Sequence, residues 1–295
     1  MSLPNFMCIG AAKSGTTTLY DILKQHPEIF IPAFKEPHFF DIPENYNNGI
    51  EWYEKNYFKN INKKRIADFT PSYFFEKQAP KRIFNDLGEN MKFVILLRHP
   101  VDRAYSHYLH SVRDKNEDVS FEEAIRKEDN RLDKFIENKD YLSYLRNSYY
   151  HQGLYGEMIE RYLQYFSLDN FLFIHFENEF VIDRKKVIDK LLIFIGLEET
   201  ETDLNLDLRS NPASKERSKF LKQLMKKKGW WRKVLKFIFP SIQIRQIIRN
   251  QVQRANLKEF QKEKLSEKLK TDLYNEYFKE DIIKFEKLTN KKLSW

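Results

Sequence analysis

The sequence contains a single cysteine, Cys8, and no long apolar stretch. One cysteine excludes an internal disulfide and a cysteine-based metal cluster. No run approaches the roughly 18 apolar residues that a membrane-spanning helix needs. The first ten residues also lack a basic segment followed by an apolar run and a small-residue cleavage site, so we expect no signal peptide. These absences favour a cytoplasmic location.

The composition is that of a basic globular protein. Hydrophobic residues make up 41% of the chain and charged residues 32%, and the formal net charge is +8. Excess positive charge favours an anionic partner, which could be nucleic acid, a membrane surface or a polyanionic small molecule. A chain of 295 residues can form one large α/β domain or two small ones. No repeat or low-complexity linker marks a boundary, so we expect a single domain over residues 1–295.

Two units of strand followed by helix are visible in the first hundred residues. The apolar run Phe6–Ile9 predicts a buried strand, and apolar spacing after a glycine turn predicts a helix that stops at Pro27. The segment Lys92–Arg98 is rich in β-forming residues, and Pro100 suits the first turn of a following helix. That second helix has one apolar stripe, formed by Val101, Tyr105, Tyr108, Leu109 and Val112.

A third unit completes the pattern. Asn170–Glu177 predicts a strand, and residues 187–197 predict a helix that ends at Gly196. Strands that alternate with helices favour a parallel sheet covered on both faces. Beyond about Leu208 we expect no strand, so residues 1–208 form the predicted α/β core and residues 209–295 a loop and a helical C-terminal portion.

The turn after the first strand resembles a phosphate loop in which the lysine is displaced. Gly10 and Gly15 keep the spacing of the motif GxxxxGK[ST], but Thr16 follows the second glycine and Lys13 lies inside the loop. A magnesium-dependent kinase or NTPase would also be expected to carry an acidic residue after a second strand, where this chain has Arg98. These departures disfavour an NTPase but leave it as an alternative.

The loop can still bind an anion although its lysine is displaced. A helix N-terminus offers free backbone N–H groups, and the loop adds an ammonium and hydroxyls. Lys13 and Arg98, at two neighbouring strand ends, suit a nucleotide with phosphates at two separate positions, which indicates a 3'-phosphorylated nucleotide. A non-catalytic protein that binds nucleic acid or glycans would also explain the charge, but it predicts no preference for a 3'-phosphate. The hydroxyls belong to Ser14, Thr16, Thr17 and Thr18.

Several segments, taken in order, resemble the sulfotransferase family that uses 3'-phosphoadenosine-5'-phosphosulfate (PAPS). They are most similar to the branch that includes the heparan sulfate sulfotransferases and bacterial glycan sulfotransferases. The resemblance implies an α/β fold like that of P-loop NTPases, with three α/β/α layers around a parallel sheet. It also implies PAPS as cosubstrate, PAP as product and no metal. The segments are GAAKSGTTTLYDILKQHP (10–27), FKEPHFFD (34–41), TPSYFF (70–75), LLRHPVDRAYSHYLH (96–110), GLYGEMIERYLQYF (153–166), IHFENEF (174–180) and DIIKFEKLTNKKLSW (281–295).

The resemblance assigns the nucleotide-binding residues. The loop residues Lys13 to Thr17 would surround the 5'-phosphosulfate, and Arg98 and Ser106 would hold the 3'-phosphate. Arginine suits phosphate because its planar fork can donate two hydrogen bonds at once. The segment 209–220 resembles the loop that closes over the nucleotide in the family. Its first candidate is Arg217, followed by Arg209 and Lys215.

The resemblance also implies the catalytic roles. Lys13 would donate to the leaving phosphate oxygen, and Glu36 would act as base, since a carboxylate with a reference pKa near 4.3 is ionised at neutral pH. His38 and Asp41 would orient the substrate or the base and bind substrate. A histidine base stays open as the rival, with His38, His99 and His107 as candidates.

The acceptor is less well defined than the donor. We expect a hydroxyl or amine of a glycan, with a lipid-linked sugar, another lipid, a small alcohol or a peptide as alternatives, and no nucleic acid. Where the family usually carries Glu-Lys before TPSYF, this chain has Asp68 and Phe69, so a cation of the acceptor subsite is missing. The basic aromatic stretch 226–240 could belong to the core, bind the acceptor or contact an anionic membrane surface on the inner side of the cell.

Overall fold

The computed structural model describes residues 2–197, 204–208 and 264–295, together with the backbone of 214–216 and 257–259. Its centre is a five-stranded parallel sheet with the spatial order β2-β3-β1-β4-β5. The strands are β1 (Phe6–Gly10), β2 (Ile29–Phe30), β3 (Arg65–Phe69), β4 (Lys92–Leu97) and β5 (Phe171–His175).

Helices connect the strands, and further helices come after the last strand in the sequence. Before β4 lie α1 (Thr16–Leu23), α2 (Pro43–Tyr46), α3 (Ile50–Tyr57) and α4 (Ala79–Leu87). Between β4 and β5 lie α5 (Pro100–Arg113), α6 (Phe121–Arg126), α7 (Glu128–Glu137), α8 (Tyr141–Asn147) and α9 (Tyr155–Leu163). After β5 come α10 (Arg184–Phe194), α11 (Glu267–Leu273) and α12 (Lys279–Thr289).

The sheet separates two apolar clusters. Successive strand residues point to opposite faces, so Phe6 and Cys8 contribute to one cluster while Met7 and Ile9 contribute to the other. Helices α1 and α10 cover the first face, and α4, α5, α9 and α12 cover the second. Near-continuous apolar strands are what a parallel sheet buried on both faces requires. The predicted three-layer α/β/α architecture with a helical C-terminus is therefore confirmed.

The strand order brings the ends of β1 and β4 side by side. In open parallel sheets, ligands bind beyond the carboxyl ends of the strands where the winding direction changes. Here β1 lies between β3 and β4, and the chain reaches these neighbours through connections that run in opposite directions along the sheet. The loops that follow β1, β3 and β4 therefore meet at one edge.

The C-terminal helix is joined to the sheet through α9. The Asp281 carboxylate accepts hydrogen bonds from the backbone N–H groups of Gly156 (2.7 Å) and Glu157 (2.8 Å), in the first turn of α9. Such a carboxylate satisfies N–H groups that have no partner within the helix and opposes the positive end of its dipole. Lys284 adds an ion pair with Glu160 at 2.7 Å.

Two expectations about local structure are wrong. The chain beyond Leu208 does contain strands, because β6 (Ser214–Glu216) pairs antiparallel with β7 (Leu257–Glu259). These segments have three residues each and are polar, so they carry no alternation that a pattern could detect. The stripe expected on α5 also fails at Val112, which is 39% exposed, because the buried position in the last turn is Ser111.

No helix in the described part of the chain has the length and apolar character needed to cross a bilayer.

Candidate active site

The loop between β1 and α1 is folded tightly against the sheet. Ala11 N–H donates to the Leu96 carbonyl of β4 at 2.8 Å, and Ser14 N–H donates to the Ala11 carbonyl at 3.2 Å. Lys13 and Gly15 both have a positive φ, of 71° and 90°. This backbone path turns the loop so that the chain enters α1 at Thr16. The first N–H groups of α1 thus face the edge of the sheet without partners inside the helix.

The hydroxyls of the loop differ in their exposure. Ser14 is fully buried, and its Oγ makes no hydrogen bond within the described residues. Thr16 and Thr18 are buried, whereas Thr17 is partly exposed. A buried hydroxyl without a partner is uncommon in proteins. The arrangement leaves a donor available beside the helix N-terminus, where an anion would bind.

The ammonium of Lys13 lies in a cationic and partly buried environment. Burial and then the nearby Arg113 lower the pKa of Lys13 to about 8, while Glu36 acts in the opposite direction. Arg113 lies in the last turn of α5. The loop, the end of α5 and the segment that carries Glu36 therefore converge on Lys13.

Arg98, just after β4, joins the second strand end to the loop. Its Nη1 donates to the Lys13 carbonyl at 2.9 Å, and its Nε lies 3.7 Å from Oε1 of Glu177. The Arg98 carbonyl accepts a hydrogen bond from Tyr155 Oη at 2.8 Å. Ser106 lies two turns along α5, partly buried, and no hydrogen bond joins it to Arg98. The structure thus brings Arg98 to the loop, while Ser106 remains a predicted partner.

Glu36 lies in a loop with unusual backbone geometry. Both Glu36 and His38 have a positive φ, of 67° and 53°, which is rare for residues with side chains. The Lys35 ammonium contacts Glu36 Oε1, and His38 Nε2 lies 3.7 Å from Oε2. Burial raises the pKa of Glu36, but Lys35 and then His38 outweigh it, so the net pKa is lowered. The carboxylate is therefore ionised at neutral pH.

His38 is held between two carboxylates. Its Nδ1 lies 2.7 Å from Oδ2 of the buried Asp41, on the opposite edge of the ring from Glu36. Ser72 Oγ also donates to Asp41 Oδ2. Burial disfavours the charged ring, but Asp41 dominates and raises the pKa of His38 to about 9. A ring that is protonated at neutral pH can orient Glu36 but cannot accept a proton from a substrate.

The other two candidate histidine bases are largely buried and lie near cationic residues. Burial, followed by the charge of Lys270, lowers the pKa of His99 to about 4. Burial and then Arg103 hold the pKa of His107 well below its usual value. The His107 ring packs edge-on against Tyr149, with ring centroids 5.4 Å apart. His99 immediately precedes α5, and His107 lies within it.

The residues that replace the expected Glu-Lys pair are buried at the end of β3. Asp68 is fully buried, and Tyr53, Thr70 and Tyr73 all donate hydrogen bonds to it. Burial raises the pKa of Asp68 to about 6 despite these hydroxyls. Tyr73 Oη also accepts the Phe39 N–H at 3.0 Å. Asp68 thus supports the loop that carries Glu36 and does not itself face an acceptor.

Residues 3–285 match the sulfotransferase domain family. The chain belongs to the sulfotransferase family.

Two curated relatives and one solved structure are similar to this chain. Mouse heparan sulfate glucosamine 3-O-sulfotransferase 3B1 is 31% identical over 201 residues, which are 68% of this chain and 48% of that protein. Human heparan sulfate glucosamine 3-O-sulfotransferase 5 is 33% identical over 172 residues, 57% of this chain and 46% of that protein. The chain spans about half the length of the curated relatives it matches. A sulfotransferase crystal structure from Alicyclobacillus acidocaldarius aligns with a TM-score of 0.67 at 25% identity, covering 99% of this chain and 98% of that one.

Several residues of the candidate site were not predicted from the sequence. Lys35 immediately precedes Glu36 and could have been suggested by its position. Ser72, Arg113 and Glu177 come from three separate segments, and only the fold brings them to Asp41, Lys13 and Arg98. No local pattern marks them, because their partners are between 31 and 100 positions away in the sequence.

Some predicted residues lie outside the described part of the chain. These are Arg217, Arg209 and the stretch 226–240. For Lys215 only the backbone is described, in β6.

Proposed function

We propose that this chain transfers a sulfuryl group from PAPS to a hydroxyl of an acceptor. The observation that supports it best is the convergence of the loop, Arg98 and Glu36. The Arg98 guanidinium binds the Lys13 carbonyl, and Glu36 is near enough to Lys13 for each charge to shift the pKa of the other. An anion-binding loop, a second cation at the next strand end and a carboxylate base thus share one edge of the sheet.

The residues present fit the cosubstrate that the family generally uses, which is PAPS. The unpartnered Ser14 Oγ and the free N–H groups of α1 suit the 5'-phosphosulfate. Arg98 Nη1 donates to the Lys13 carbonyl, whereas Nε, 3.7 Å from Glu177, makes no hydrogen bond within the described residues. Nη2 would bind the 3'-phosphate. Ser106 would complete that contact from α5. Bound PAPS supplies an activated sulfuryl group with a phosphate leaving group.

The chain supplies the proton acceptor and the stabilising charge. Glu36, ionised and fixed between Lys35 and His38, would accept the proton of the acceptor hydroxyl as the new S–O bond forms. Lys13 would donate a hydrogen bond to the leaving phosphate oxygen as the old S–O bond breaks. A pKa of about 8 leaves Lys13 protonated at neutral pH, so it can donate. His38 and Asp41 would hold the base and help to bind the acceptor.

A glycan is the acceptor class that we propose. Its support comes from the relatives, whose names describe sulfotransferases that act on glucosamine of heparan sulfate. The relatives act on a hydroxyl, which favours a hydroxyl over an amine here. Phe69, which is buried, stands where the family usually has the lysine of its Glu-Lys pair, so this chain lacks that cation and we expect a different acceptor subsite.

Nucleotide preference tests the proposal without knowledge of the acceptor. We expect PAP to raise the melting temperature strongly, AMP weakly and ATP with Mg²⁺ no more than AMP. A ligand at 100 times its Kd stabilises the folded state by about 2.7 kcal/mol. In Ser106→Ala, which leaves the Arg98 hydrogen bond to the Lys13 carbonyl in place, the response to PAP should fall towards that of AMP, while the AMP response stays unchanged and serves as the internal control. Stabilisation by ATP with Mg²⁺ but not by PAP would instead indicate an NTPase.

A further inference from the structure

The turn after β5, Phe176–Phe180, provides two of the contacts that hold Arg98. The guanidinium carbon of Arg98 lies 5.2 Å from the centroid of the Phe176 ring, within the range of a cation–π contact. The next residue, Glu177, has its Oε1 3.7 Å from Arg98 Nε, and the same oxygen accepts the His99 N–H at 3.3 Å. The orientation of the Arg98 side chain therefore depends on where this turn lies.

The segment 291–295, which follows α12, packs against this turn. The Asn178 side chain, in the turn, donates from Nδ2 to the Ser294 carbonyl at 2.6 Å. The Trp295 ring packs on the ring of His175, the residue just before the turn, with centroids 4.6 Å apart. Two contacts from this segment thus hold the turn that in turn holds the Arg98 guanidinium.

Trp295 also bridges the ends of two paired strands. Strands β4 and β5 pair in parallel up to Leu97 and His175. The Trp295 ring lies 5.7 Å from that of His99, after β4, while it packs on His175 at the end of β5. Arg98 is the residue between Leu97 and His99, so the indole lies over the strand end that carries Arg98.

Orientation matters at Arg98 because arginine recognises phosphate through geometry. A guanidinium binds phosphate best when two of its N–H groups point at two oxygens at once. A small displacement of the turn would therefore cost a hydrogen bond to a 3'-phosphate. The loop that would bind the 5' side has its own bond to the sheet, from Ala11 N–H to the Leu96 carbonyl, and does not depend on Trp295.

We propose that the segment 291–295 positions Arg98 for the 3'-phosphate of the nucleotide, and that Trp295 is its main contact. This inference rests on the proposed function. Trp295 is a positioning residue, because its ring acts on Arg98 through His99, His175 and the turn after β5. Removal of the ring should weaken binding of the 3'-phosphate and of no other part of the nucleotide.

The test compares Trp295→Leu with Trp295→Phe, which keeps an aromatic ring over the two histidines. Isothermal titration with PAP and with AMP, well below the melting temperature of each protein, separates binding from stability. In Trp295→Leu we expect the Kd for PAP to rise about tenfold, as for the loss of one hydrogen bond to a charged group, while the Kd for AMP stays unchanged. Trp295→Phe should bind PAP almost as tightly as the wild type.

Leu288→Ala is the matched control for a general loss of stability. Leu288 lies in α12 and packs against the apolar cluster that this helix covers. Its truncation should lower the free energy of unfolding. The Kd values for PAP and AMP should both stay at the wild-type level, because the contacts of Trp295 remain.

The outcomes separate the inference from the function on which it rests. A Kd for PAP in Trp295→Leu equal to that of the wild type would overturn the inference. Equal rises for PAP and AMP, or the same loss of PAP affinity in Leu288→Ala, would indicate a general loosening and would also overturn it. If the wild type shows no preference for PAP over AMP, the proposed function fails and the inference fails with it.

Discussion

The loop lysine, Lys13, lies where its affinity for a proton is weakened. Burial and the neighbouring Arg113 lower its pKa to about 8, yet Glu36 nearby favours the charged form. A donor whose pKa is close to the working pH can follow charge that develops on a leaving group better than one that is strongly basic. The same feature makes the function of Lys13 dependent on pH.

The first prediction concerns that dependence. The kcat/KM for PAPS should be constant from neutral pH to about pH 8 and fall as the pH rises through that value, because Lys13 loses its proton there. His38, whose pKa is about 9, would add a loss only at higher pH. Lys13→Arg keeps its charge over the whole range, so its lower activity should show no decline near pH 8. A wild-type profile that stays flat to pH 9.5 would contradict the assignment.

At the residue scale, sequence motifs identify the groups but not what supports them. Lys13, Glu36 and Arg98 each lie in a recognisable segment, and the fold brings their surroundings together. The residues that support these groups lie far from them in the sequence. Ser72 donates to Asp41 from 31 positions away, and Arg113 lies near Lys13 from 100 positions away. Such contacts depend on tertiary packing and have no local signal.

At the scale of elements, the loop between β1 and α1 depends on Gly15. Its φ is +90°, and a Cβ at this position would lie 2.7 Å from the Phe176 ring. Two costs therefore oppose a side chain here, namely backbone strain and a clash with the turn after β5. The loop thus packs against both the edge of the sheet and the residues after β5.

The second prediction separates these two costs. Gly15→Ala should lower the free energy of unfolding and reduce the PAP-induced rise in melting temperature. Gly49→Ala is the matched control, since Gly49 has a φ of +81° but open space around it. Gly49 has a ψ of 164°, so backbone strain alone should cost about 1–3 kcal/mol in Gly49→Ala and leave PAP binding intact. Equal effects of both changes on stability and on PAP binding would show that the loop does not need its close fit to Phe176.

The elements themselves were predictable where they carry a clear pattern. Strands β1, β4 and β5 are apolar runs, and the sequence predicts them to within about two residues. Strand β2 has only two residues, and β3 contains Arg65 and Asp68, so neither forms an apolar run. Asp68 is tolerated there because three hydroxyls donate to it, which is a tertiary arrangement.

At the scale of the whole molecule, the packing of α12 on α9 links the C-terminal helix to the sheet. The backbones approach closely, and a Cβ on Gly156 would lie 2.4 Å from the Asp281 carbonyl oxygen. The same helix places Phe285 against Phe173 of β5, with ring centroids 5.2 Å apart. These contacts support our proposal that the chain is a single domain.

The third prediction follows from this close approach. Gly156→Ala should lower the free energy of unfolding by about 3 kcal/mol, the upper end for overpacking, because backbone atoms must move. Gly153→Ala is the control, since its Cβ would meet the Phe278 ring, a side chain that can turn, and it should cost less. Calorimetry of the wild type and both variants should show one cooperative transition. Two resolved transitions would contradict the single domain.

The central claim is that Glu36 acts as the base for sulfuryl transfer at a site that binds PAPS. The most direct measurement is the rate of ³⁵S transfer from labelled PAPS to a panel of glycan acceptors, by the wild type and by Glu36→Gln. We expect stable labelling of at least one acceptor by the wild type, confirmed by mass spectrometry. In Glu36→Gln the rate should fall by about 10²–10⁴-fold while PAP binding persists. Near-normal transfer by Glu36→Gln, or no transfer by the wild type to any acceptor, would contradict the account.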